Sequence, residues 1–146
     1  VFTLFALAAL ATAQDTLESV KAAFESAGIV GDVIPAFDPS VLLTVTFTNP
    51  DGSPLSFTAG TLLTPAQAAR RPTFSISPAD PSTTFLVAEV DPDAPTPQSP
   101  TSAQIRHFLG PNFSVVGSTL ANTTAALSDY RGPSPPAGSD PHRFVV

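Results

Sequence analysis

The chain has 146 residues, 42% of them hydrophobic, and no cysteine, which excludes disulfides, thiolate catalysis and cysteine-ligated zinc. Six Lys and Arg stand against twelve Asp and Glu, a formal net charge of −6, so there is no basic footprint for nucleic acid and an anionic membrane surface would repel it. Seventeen prolines and eight glycines break long helices and favour short strands joined by turns within a single domain.

The first segment, "VFTLFALAALATAQ", is apolar up to Ala11-Thr12-Ala13, an h-region followed by an A-x-A cleavage site. A signal peptide over 1–13 is expected, with a mature chain starting at Gln14 and secretion to the extracellular space or a vacuolar lumen. The run is too short for a membrane span, which needs about 20 apolar residues; a buried helix is the other reading. Two glycosylation sequons, "NFS" at Asn112 and "NTT" at Asn122, agree with secretion. The missing initiator Met, the missing basic n-region and the apolar last residues point to a fragment of a longer protein.

Residues 14–40 are expected to hold an N-terminal helix and a linker. "DTLESVKAAFESA" (15–27) places Leu17, Val20, Phe24 and Ala27 at helical spacing, with Asp15 and Glu18 as a capping box and Gly28 at the C-terminal end. "VLLTVTFT" (41–48) alternates, Val41, Leu43, Val45 and Phe47 against three threonines, which predicts a half-buried strand. "NPDG" (49–52) is a turn, and 54–58 a second strand. Thr64 and Pro65 open one or two helical turns over 64–70, which Pro72 ends. "TFSIS" (73–77) alternates; "PADPS" (78–82) turns. "TFLVAEV" (84–90) is nearly all apolar and predicts a central strand covered on both faces. Strands are expected at 105–110 and 142–146, separated by a proline- and glycine-rich loop over 129–141. The pattern is all-β with small helical additions, a sandwich or Greek-key sheet pair.

Chemistry concentrates in few residues. The chain has two histidines, His107 in a strand after the acidic "VDPDAP" stretch and His142 at the start of the last strand, and Asp91 ends the apolar strand. An Asp before Pro commonly makes a turn hydrogen bond, and a lone strand-end His commonly sits at a surface. If the three strands are neighbours, however, one carboxylate and two imidazoles converge at one rim.

The segments "FLVAEVDPDAP", "IRHFL", "LSDYRGPSPPAG" and "HRFVV", in that order, resemble the phosphatidylethanolamine-binding protein family, as does the upstream "LLTPAQAARRPTFSI". The resemblance runs over residues 41–146. It implies a Greek-key pair of antiparallel sheets with short peripheral helices and a small anion pocket at one end. It implies that Asp91, His107 and His142 line that pocket, that Pro135 and Pro136 form part of its rim, that Asp93 braces its own loop and that the Ala94–Pro95 bond is cis. Phe144 stands where the family usually has a ligand-contacting tyrosine, and the family's C-terminal segment does not occur in this chain.

The expected function is therefore a secreted, monomeric binding or regulatory protein for a small phosphorylated or otherwise anionic ligand, with no cofactor and no metal. The alternative the resemblance offers is inhibition of a serine carboxypeptidase or another serine protease. A hydrolase built on Asp91, His107, His142 and a serine is the less favoured class, because there is no G-x-S-x-G elbow and no serine is singled out by its surroundings. A metal site of Asp91, Asp93 and both histidines fits by ligand type, but the prolines between the carboxylates restrict their convergence. A structural or storage protein with a degenerate pocket is favoured only by Phe144.

Overall fold

The computed structural model describes residues 14–146, so the segment expected to be a signal peptide lies outside the described residues. Two helices, α1 (Leu17–Ser26) and α2 (Ile29–Asp32), precede six strands: β1 (Leu42–Thr48), β2 (Pro54–Leu55), β3 (Thr73–Ser77), β4 (Thr84–Asp91), β5 (Ile105–Val116) and β6 (Thr119–Ala121). The strands form one curled sheet in the order β2-β1-β3-β6-β5-β4, every pairing antiparallel. The mainly-β architecture read from the sequence is the one observed. No helix among the described residues is long and apolar enough to cross a membrane.

The helix starts at Leu17, the first of its spaced apolar residues and two residues into the segment expected for it, and its cap is different. Thr16 is the N-cap; its hydroxyl accepts from Ser19 N while Ser19 Oγ accepts from Thr16 N, closing the capping box without Glu18. Asp15 instead accepts from Ala59 N at 2.9 Å and from Ser19 Oγ at 3.3 Å. Gly28, at φ +68°, provides the left-handed residue that stops α1. The rings of Phe24 and Phe37 stack at 4.1 Å and fold the linker back on the helix.

Strand alternation builds the core. Leu43 and Val45 of β1 face Ile76 and Phe74 of β3. Phe74, Ile76, Val87, Phe108, Phe113, Val115 and Leu120 are buried together, with Phe74 edge-on to Phe113 at 6.0 Å. Gly110 is required there: a Cβ at this position would lie 2.6 Å from the Phe108 ring and 2.7 Å from that of Phe113.

Several expectations change. β4 is the edge of the sheet rather than its centre; it alternates, with Leu86 61% exposed, because only β5 pairs along its length. The strand expected at 142–146 is a single bridge, Val145 exchanging two 2.9 Å backbone bonds with Val90. Residues 64–70 make one hydrogen-bonded turn, not a helix, since Pro72 follows before a second turn can form. The second strand is cut to Pro54–Leu55, and β5 runs on to Val116, passing Pro111 with Asn112 at φ +57°.

Candidate functional site

β4 ends in the residue on which the site is built. Alternation sends Val87, Glu89 and Asp91 to the interior face. Pro92 removes the next ladder donor, and Asp91 Oδ1 accepts the Asp93 N–H at 2.7 Å, an Asx turn that aims the carboxylate inward. Its Oδ2 accepts from His142 Nδ1 at 2.8 Å and lies 3.8 Å from His107 Nε2. The side chains of Asp91, His107 and His142 are 5%, 8% and 7% exposed, so this is a desolvated cluster of one acid and the chain's two imidazoles.

His107 reaches it through an irregularity. Glu89 pairs with Phe108 and Val90 with Arg106, leaving His107 as the extra residue of a bulge on β5. Its Nδ1 lies 2.6 Å from the Arg131 carbonyl, which only accepts, so Nδ1 carries a proton. Nε2 is then a bare lone pair in the neutral ring and a second donor in the charged one. That atom is buried and has no hydrogen-bond partner.

His142 is fully engaged. Beyond its bond to Asp91, its Nε2 lies 3.0 Å from Ser139 Oγ. Ser139 Oγ is also 2.9 Å from the Asp140 carbonyl, and Ser139 N donates to Pro136 O at 3.1 Å. Ser139 is the residue sequence reasoning missed. Its only signal was a place three residues before His142, next to Gly138, whose φ is +82°.

Phe144 packs against the His107 ring, centroids 4.3 Å apart, and offers no donor there. Pro135 and Pro136 are exposed on the loop that carries Ser139. Asp93 reaches past its own loop: it accepts from Arg143 N at 2.8 Å, from Nε at 3.0 Å and from the terminal guanidinium nitrogen at 2.7 Å. The Arg143 guanidinium holds the Asp93 carboxyl below the usual carboxylate range against the opposing effect of burial. Arg143 also donates to Ala27 O and Asp32 Oδ2, tying both helices to the site loop. Asp93 is thereby lost to the metal set the sequence allowed, and among the described residues no group of three or more His, Cys, Asp or Glu side chains is arranged to hold a metal ion. The Ala94–Pro95 bond is cis, as is Ser77–Pro78. Of the two sequon asparagines, Asn112 is exposed, whereas the Asn122 amide donates to Pro111 O at 2.6 Å.

Glu89, two residues before Asp91 on the same face, is 1% exposed and its Oε2 has no partner. Burial alone pushes its carboxyl up to about 7. The folded protein therefore holds this proton through pH 4.5–7, where the unfolded chain releases it. The stability contribution is greatest in acid and is lost as pH rises through that window. Urea unfolding should show stability falling by about 3 kcal/mol from pH 4.5 to 7 from this group, a decline the Glu89→Gln variant lacks.

The chain and its fold have clear counterparts. The family model for "Phosphatidylethanolamine-binding protein" matches residues 46–146. The Arabidopsis thaliana proteins BROTHER of FT and TFL 1 and FLOWERING LOCUS T are each 32% identical over 80% of this chain. The chain spans 62% of the length of each of these relatives. Among solved structures, the carboxypeptidase Y inhibitor complexed with its cognate proteinase superposes with a TM-score of 0.75 at 24% identity, covering 89% of this chain and 70% of that one. The phosphatidylethanolamine-binding protein from Plasmodium vivax superposes at 0.66 and 20% identity, covering 86% and 66%. The two structural matches speak for the fold, the family model and the relatives for ancestry; together they make this chain a member of the phosphatidylethanolamine-binding protein family.

Proposed function

We propose that the chain is a secreted binding protein whose pocket at Asp91, His107 and His142 takes a small anion, a phosphate group free or in a head group. The observation that carries this reading is the buried, unpartnered Nε2 of His107 beside Asp91. An anion faces a cost there: two like charges 4 Å apart repel by about 4 kcal/mol at an effective dielectric near 20. A protonated His107 offsets it, because Nδ1 is already committed to Arg131 O and the added proton makes Nε2 a donor. His142 has both nitrogens occupied and acts by holding Asp91 in place.

The sign of the pH effect follows. The Nε2 donor exists only on the protonated ring, so affinity falls as pH rises and that proton is lost. Calorimetric titration with inorganic phosphate and with phosphoethanolamine from pH 5 to 9 tests this; equal affinities assign the site to phosphate itself, a preference for the second to a head group. Affinity flat over the whole range contradicts the reading. A second reading, inhibition of a serine carboxypeptidase, draws on the fold match to the carboxypeptidase Y inhibitor. Loss of carboxypeptidase Y activity on adding this protein would support it.

A further inference from the structure

Ser139, His142 and Asp91 form a continuous chain: Ser139 Oγ lies 3.0 Å from His142 Nε2, and His142 Nδ1 lies 2.8 Å from Asp91 Oδ2. Asp91 only accepts, so it selects the ring tautomer with the proton on Nδ1 and leaves the Nε2 lone pair 3.0 Å from the Ser139 hydroxyl, whose single proton is shared between that nitrogen and the Asp140 carbonyl at 2.9 Å. Asp91 is itself held, by the Asp93 N–H on its other oxygen. The Asp91 and His142 side chains are nearly buried, while Ser139 is half-buried on a loop whose neighbours Ala137, Gly138 and Asp140 are exposed. This is a nucleophile, a base and an orienting carboxylate in the order and at the separations acyl transfer requires.

We propose that Ser139 is a nucleophile for small esters, with His142 as its general base and Asp91 as the positioning carboxylate. Ser139 Oγ bonds to the ester carbonyl carbon as its proton passes to His142 Nε2. The acyl–oxygen bond to the alcohol breaks, and the alcohol leaves with the proton returned by His142. Water then attacks the acyl-serine, giving its proton to the same nitrogen, and releases the carboxylic acid and the free serine. The imidazolium formed in each half is stabilised by Asp91 at 2.8 Å. Ser139 sits on an exposed loop, where short acyl groups are the fitting class. The step uses two residues of the anion site but not the binding of an anion, and it stands or falls separately.

The test is p-nitrophenyl acetate hydrolysis by the whole protein, with mass spectrometry after treatment with a fluorophosphonate. Ser139→Ala should lower turnover about 100-fold or more, the usual worth of a positioned base and its nucleophile. Ser134→Ala, an exposed serine on the same loop, should leave it unchanged, and the phosphonate should be found on Ser139. His142→Ala should match Ser139→Ala, but it exposes a buried acid to loss of its partner, so Ser139→Ala and the adduct decide the question. Equal rates for the wild-type protein and Ser139→Ala, or a phosphonate absent from Ser139, overturn the proposal.

Discussion

Arg143→Ala is expected to destabilise the protein by about 3 kcal/mol, the lower end of what removing one partner of a buried ion pair costs. Asp93 is 3% exposed and receives four hydrogen bonds from Arg143, one of them from its backbone. Without the guanidinium the carboxylate stays in the interior with only that backbone donor to offset its desolvation. The same substitution releases Ala27 O and Asp32, so the α1–α2 region loses its tie to the site loop. Part of the guanidinium is in solvent, which is why the lower figure applies. Denaturant unfolding at pH 7 measures the loss. Arg143→Lys should recover only a fraction of it, because an ammonium cannot grip Asp93 bidentately. As the Asp93 carboxyl is held low in the folded state, the pair's contribution is present above the ordinary carboxylate range and disappears as pH falls below it. Wild type and Arg143→Ala should therefore converge in stability in strong acid.

His107→Ala is expected to weaken phosphate binding at pH 6 between about 10- and 100-fold, since a hydrogen bond to a charged group contributes about 1.5–3 kcal/mol. It should also remove the pH slope. The reason is geometric: His107 alone has a nitrogen with no protein partner, while both nitrogens of His142 are taken. Phe144, packed on the ring, supplies no replacement donor. An unchanged affinity in His107→Ala would move the anion site elsewhere. The substitution also removes one side-chain bond to Arg131 O and the ring packed on Phe144.

The clustering of Asp91, His107 and His142 is partly legible in the sequence. The "DPDAP" turn announces itself through two acids and two prolines, and the two histidines are few enough to be noticed. What the sequence could not show is why they meet. The β5 bulge that turns His107 inward is a matter of register between Glu89/Phe108 and Val90/Arg106, and no local residue signals it. Ser139 was hidden among many loop serines because its role depends on the position of His142 in space. Glu89 was visible as the one acid in "TFLVAEV", yet an apolar run masks a buried carboxyl unless its own environment is known. β4 looked central because its composition is apolar, but composition reports side chains, whereas sheet position depends on which backbones pair. The capping box shifted by one residue for a similar reason: Ser19 can return the bond to Thr16, which leaves Glu18 unneeded.

The most direct test of the account is nitrogen-15 NMR of the two histidines during titration with inorganic phosphate at pH 6. The arrangement predicts that His107 Nε2 carries a proton and donates in the phosphate complex, its resonance shifting on binding, while Nδ1, held by Arg131 O, changes little. Phosphate that leaves the His107 resonances unmoved, or binds while His107 stays neutral, would contradict it.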